Sequence, residues 1–120
     1  VSDPVPVPRI LHELGGADGT AGVVWRLAEP GRQLDANHVA LAPDQVVETH
    51  AEPDLDVLLV VVSGAGAVET DGRRLALAEG TVLWLPRGSR RRLVAGPAGL
   101  GWLTVHRRRP GLAIGTAPGR

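Results

Sequence analysis

Residues 48–64 read ETHAEPDLDVLLVVVSG: one His, two Glu and two Asp stand just before six consecutive apolar residues and a Ser-Gly turn. The apolar run, Val57–Val62, is too continuous for a strand wet on one face. It is also far shorter than the roughly 20 apolar residues of a membrane helix. The stretch predicts a buried strand, Leu55–Val62, entered through a polar segment. That segment is either a cluster of metal ligands or the hydrophilic lip of the strand.

On both sides, punctuation and short apolar runs alternate. Gly22–Ala28, Asn37–Ala42 and Val46–His50 read as strands before the central run. Ala67–Thr70, Arg74–Leu77, Thr81–Leu85, Arg91–Val94 and Leu100–His106 follow it, separated by SGAG, DGRR, AEG, PRGS and AGPAG. Asp71-Gly72 suits a primed hairpin turn. About nine short strands at such spacing are the pattern of an all-β sandwich or barrel. Arg9–Leu14 has room for one helical turn before GGADG stops it, and Leu112–Ile114 for a short edge strand. The expected organisation is an extended Pro/Gly-rich N-terminal arm over 1–21, a barrel over 22–110 and a C-terminal tail over 111–120.

With 120 residues the chain is long enough to bury one core. It has no Phe, Tyr, Met or Cys, so the core must close on Val, Leu, Ala and three Trp. The absence of Cys excludes disulfides, thiolate metal sites and thiol catalysis. Net charge is zero, but residues 1–71 hold 12 of the 13 acidic groups and residues 72–120 hold ten of the 13 Arg. The Arg clusters RGSRRR (87–92) and HRRR (106–109) are expected to pair with the acidic half across neighbouring strands. Neither stacking aromatics nor a reading element accompanies them, so no nucleic-acid partner is expected. VSDPVPVPRI lacks the charged and apolar regions of a signal peptide, and no segment suits a membrane span; a cytoplasmic location is expected.

Two segments resemble the motifs of the cupin superfamily. In that family the first motif runs Gly, five residues, His, one residue, His, three or four residues, Glu, six residues, Gly. The second runs Gly, five residues, Pro, one residue, Gly, two residues, His. Here Asp44 stands at the first Gly, followed by His50, Glu52, Val57 and Gly64; the second segment keeps Gly80, Pro86 and Gly88 and ends on Arg91. The resemblance, over residues 36–106, implies a double-stranded β-helix, or jelly-roll, barrel. It also implies that a typical metal site of three His and one Glu is replaced here by His50, Glu52, Val57 and Arg91. Val57 has no donor atom, and the guanidinium of Arg91 has no lone pair to give.

The leading expectation is therefore a metal-independent cupin-like barrel with no cofactor. It binds a small anionic or polar molecule in its interior through His50, Glu52 and Arg91, with Trp84 as a flat apolar wall. One alternative is a small isomerase, cyclase or oxygenase. Its His50 would act as catalytic base beside a carboxylate, or would join Glu52, His38 and His106 in a reduced site for a divalent transition metal. Another alternative is a structural or regulatory module with a filled barrel, in which Glu52 and Arg91 form a sealing ion pair. A homodimer is expected in each case, through the N-terminal arm or an edge strand.

Overall fold

The computed structural model describes residues 6–15 and 21–109. Among the described residues seven antiparallel strands form: β1 (Gly22–Arg26), β2 (Leu34–Leu41), β3 (Val46–Ala51), β4 (Val57–Thr70), β5 (Arg73–Ala78), β6 (Val82–Leu85) and β7 (Arg90–Arg107). No helix occurs among the described residues, so none there is long and apolar enough to cross a membrane. The single helical turn expected at Arg9–Leu14 does not form; the segment runs without regular structure beside β1 and β2. The edge strand expected at Leu112–Ile114, and the tail, lie outside the described residues.

The strands are longer and fewer than the sequence predicts. β4 and β7, of 14 and 18 residues, each run through SGAG or AGPAG, where turns are expected. The physical reason is glycine. Gly64 sits at φ 70° and Gly99 at φ 81°; β4 bulges between Val61 and Ser63, and opposite Gly64–Gly66 it is β7 that carries the extra residues, 96–99. A Cβ on Gly64 would press against the backbone carbonyl of Gly99. The two chains thus cross where only glycine permits the approach, and each strand bends instead of ending.

This bend divides the pairing into two sheets. The first halves of β4 and β6, the second half of β7, β2 and β1 form one sheet; β3, the first half of β7, the second half of β4 and β5 form the other. Leu59, Val61 and Val68, each at most 1% exposed, fill the space between them with Trp102, Leu93 and Leu100. Burial of such side chains is worth about 1.5–3 kcal/mol each, which makes this layer the main source of stability. Asp71 and Gly72, both at positive φ, form the primed turn expected between β4 and β5. The result is the expected jelly roll.

Alternation then decides which residues face in. Val57, Leu59 and Val61 of β4, Leu83 and Leu85 of β6, and Leu100 and Trp102 of β7 belong to the core. Their neighbours Leu58, Val60, Val82, Trp84, Leu103 and Val105 therefore lie on the outer face.

Candidate functional site

The polar end of the barrel interior is built from the ends of β2, β3 and β7. His50 is the direct register partner of Arg91 across β3 and β7. A bulge between Val47 and His50 lets both face inward although three positions separate them; Val47 pairs with Leu93 and His50 with Arg91. Glu48, between them, turns outward and meets Arg92 at 3.2 Å. His50 is exposed at the rim, and its Nδ1 bonds the backbone carbonyl of Glu48 at 3.1 Å, with no carboxylate bonded to it among the described residues.

Arg91 is the buried member of the pair, with 5% of its surface exposed. Among the described residues its side chain makes one hydrogen bond, from Nη1 to the carbonyl oxygen of Ser89 at 3.1 Å. Burial lowers its affinity for the proton, and the charge of Glu52 acts in the opposite sense. The sealing Glu52–Arg91 pair is not formed. Glu52 is gripped instead by Arg109, whose Nη1 donates to Oε1 at 2.8 Å while Nη2 donates to Oε2. That fork is the first cause that holds the Glu52 carboxyl below its ordinary value; the charges of Arg109, Arg91 and His106 add to it against the effect of burial.

Arg109 also ties the mouth to β2, through a backbone N–H to Asp35 Oδ2 at 3.3 Å. For Asp35, burial would raise the carboxyl, but the hydrogen bonds from Arg32 (2.8 Å) and from Arg109 outweigh it and hold it low. His106 faces Asp35 in register, and with Arg26, Arg32, Asn37 and Arg109 these residues line a cavity of about 260 Å³. Arg109, Asp35 and Ser89 are absent from the sequence-based site. The only signal for Arg109 is the Arg cluster that directly follows the last strand.

Other expected site residues stand elsewhere. Trp84 is on the outer face, 58% exposed, opposite Leu58, so it supplies no wall to the mouth; Leu83 and Leu85 take the inward positions on β6. His38 pairs with Leu103 in register and also faces outward, buried under the N-terminal segment: its Nδ1 lies 2.9 Å from His12 Nε2. The His12 ring in turn stacks on Trp25, with centroids 5.0 Å apart and planes 3° apart. The set His50, Glu52, His38 and His106 is therefore not assembled. Among the described residues no three His, Asp or Glu side chains converge to hold a metal ion. At the four positions where the resemblance places ligands, Val57 is core, Arg91 is cationic and Glu52 is already forked to Arg109. That donor set does not fit a metal.

No protein-family model matches the sequence, and no curated protein matches it. Solved structures do resemble the fold. A cupin protein from Bacteroides fragilis superposes with a TM-score of 0.66 at 16% identity, over 91% of this chain and 96% of that one. KdgF from Halomonas sp. gives a TM-score of 0.61 at 27% identity, over 71% and 77%. A sugar phosphate isomerase of the cupin superfamily from Silicibacter pomeroyi gives 0.60 at 23% identity, over 66% of this chain and 53% of its own.

Proposed function

From the premise that this chain has the cupin fold, we propose that it is a metal-independent receptor for a small organic anion, bound at the barrel mouth by Arg91. The observation that carries this reading is a buried guanidinium whose nearest carboxylate is engaged by another Arg. A buried cation without a direct counter-ion is unfavourable, and a ligand carboxylate or phosphate supplies the missing charge through paired hydrogen bonds. His50, opposite in register and open to solvent, adds a second polar contact. Because Trp102, Leu59 and Val61 fill the middle of the barrel, the ligand sits at the mouth and not deep inside.

Calorimetric titration with citrate, glycerate and inorganic phosphate tests this, alongside elemental analysis of protein purified without chelator. The expected result is saturable binding of at least one anion, lost by tenfold or more in Arg91→Met, with no stoichiometric transition metal. Equal binding by wild type and variant, or one equivalent of bound metal, would overturn the reading.

A second reading, an acid–base isomerase, draws support from the unencumbered His50 facing the proposed anion and from the isomerase among the structural neighbours. His50→Asn would then abolish turnover and spare binding. In both readings the protein is a cytoplasmic homodimer. Two apolar rows cross the outer face of the first sheet, Trp84–Leu58–Val105–Ala36 and Val82–Val60–Leu103, and Trp84 and Val82 are 58% and 61% exposed. An apolar patch of this kind suits an isologous contact between two copies of the chain. Trp84→Asp should convert the dimer to monomer in sedimentation experiments.

A further inference from the structure

The outer face of the second sheet carries a ladder of charge. Glu48 of β3, Arg92 of β7, Glu69 of β4 and Arg74 of β5 stand side by side across four strands. Arg92 reaches Glu48 at 3.2 Å and Glu69 at 2.9 Å, and Glu69 also accepts from Arg74. Two carboxylates and two guanidiniums thus neutralise one another, as cross-strand pairs of opposite charge do. This arrangement accounts for half of the Arg residues in the neighbourhood.

The other half are Arg73 and Arg90, at the end of the ladder. Among the described residues no carboxylate lies within ion-pair distance of either. Both are anchored to one residue. Thr70 is the register partner of Arg73, and its hydroxyl donates to the carbonyl oxygen of Arg90 at 2.5 Å. An open groove of about 890 Å³ lies here, lined by Arg73, Arg74, Arg90 and Arg92 with Glu69 and Asp71, and flanked by Thr49 and Ser89. With Glu48 counted beside Glu69 and Asp71, four guanidiniums stand against three carboxylates, and among the described residues Arg73 and Arg90 are the two outside any ion pair.

We propose that this groove is a second anion site, distinct from the barrel mouth, and that it binds the phosphate group of a small phosphorylated molecule. The two unpaired guanidiniums decide the chemistry. A phosphate monoester, with about −1.5 to −2 charges at neutral pH and three acceptor oxygens, can meet both Arg73 and Arg90. Its oxygens can accept from two guanidinium forks at once, and Thr49 lines the same groove. The ladder holds Arg74 and Arg92 in place before any ligand arrives, so only Arg73 and Arg90 lose freedom on binding. None of the groove-lining residues is aromatic, and nothing there can stack on a base, which favours a small phosphate ester over nucleic acid.

The test is calorimetric titration of the full chain with glycerol phosphate at low and physiological salt. Saturable binding is expected, weakened by salt. The double variant Arg73→Ala/Arg90→Ala should lose affinity at least tenfold with an unchanged melting curve, since both side chains are exposed. In the Arg91→Met background, where the mouth no longer binds anions, the groove should still bind glycerol phosphate, and Arg73→Ala/Arg90→Ala should remove that binding. This separates the groove from the mouth: loss of binding in Arg91→Met alone would assign the phosphate to the mouth and overturn the proposal. So would an absence of saturable binding by wild type, or undiminished binding by the double variant. Tighter Arg73- and Arg90-dependent binding of a DNA duplex or of anionic vesicles than of glycerol phosphate would also overturn it.

Discussion

Replacing Arg91 by Met separates a structural from a binding role for the buried guanidinium. The change removes one hydrogen bond, Nη1 to the Ser89 carbonyl at 3.1 Å. A bond from a charged donor is worth about 1.5–3 kcal/mol. It also removes an attraction to Glu52, but Arg109 already occupies both oxygens of that carboxylate. Against these losses stands the release of a guanidinium only 5% exposed, whose effective desolvation penalty is several kcal/mol. The apolar stem is retained by Met. The terms are comparable, so Arg91→Met should unfold within about 1 kcal/mol of wild type, on the stabilising side. Urea denaturation followed by the emission of buried Trp102 measures this. If Arg91 were the counter-ion that seals the barrel, its loss would leave a buried carboxylate unpaired and destabilise by about 3–5 kcal/mol. A loss of that size refutes the reasoning. A ligand at 100 times its Kd should stabilise wild type by about 2.7 kcal/mol and leave Arg91→Met unchanged.

Three other perturbations probe separate parts of the molecule. Glu52→Gln frees Arg109 and makes the mouth one charge more positive, so anion affinity should rise severalfold; the pair is half exposed, and its loss should destabilise by about 1 kcal/mol or less, both measurable by calorimetry. Gly64→Ala combines a positive φ with a Cβ 2.8 Å from the Gly99 carbonyl carbon and should destabilise by about 3 kcal/mol. At Gly72 a Cβ meets nothing, so Gly72→Ala should lose only about 1 kcal/mol in the same thermal melts. Burial, and then the charge of His12, hold the imidazole of His38 below its usual 6.5. The unfolded chain therefore binds this proton more readily, so stability is full above pH 6.5 and declines as pH falls below it. Protonation of His38 places a charge under the segment that carries His12, and that segment should detach from Trp25 on acidification. Trp25 emission between pH 8 and 5 should report this, and His12→Ala should abolish the change.

Much of the framework is legible in local residues. Asp71-Gly72 specifies its turn because few residue types tolerate positive φ at both positions. Gly80, Pro86 and Gly88 mark the loops around β6, and it is their resemblance to a cupin motif that implied the jelly roll. The outward turn of Arg92 towards acidic partners follows from simple alternation, as the ladder bears out. Strand continuity is not legible in the same way. SGAG reads as a turn because glycine usually ends strands, yet here it permits a close crossing of β4 and β7 that exists only once both are in place.

By itself, the sequence determined an all-β sandwich or barrel, through short-range periodicity and turn residues, and its resemblance to cupin motifs narrowed this to a jelly roll; Val57 and Arg91 lack a donor atom for a metal by their side-chain chemistry alone. Only the tertiary structure decided the electrostatics of the mouth. Glu52 could pair with any Arg within reach; it took Arg109, 57 positions away, and left Arg91 buried with no ion-pair partner among the described residues. Tertiary structure also turned His38 and Trp84 outward, because one step of strand phase reverses every facing, and phase is set by cross-strand registers and packing that no local stretch contains.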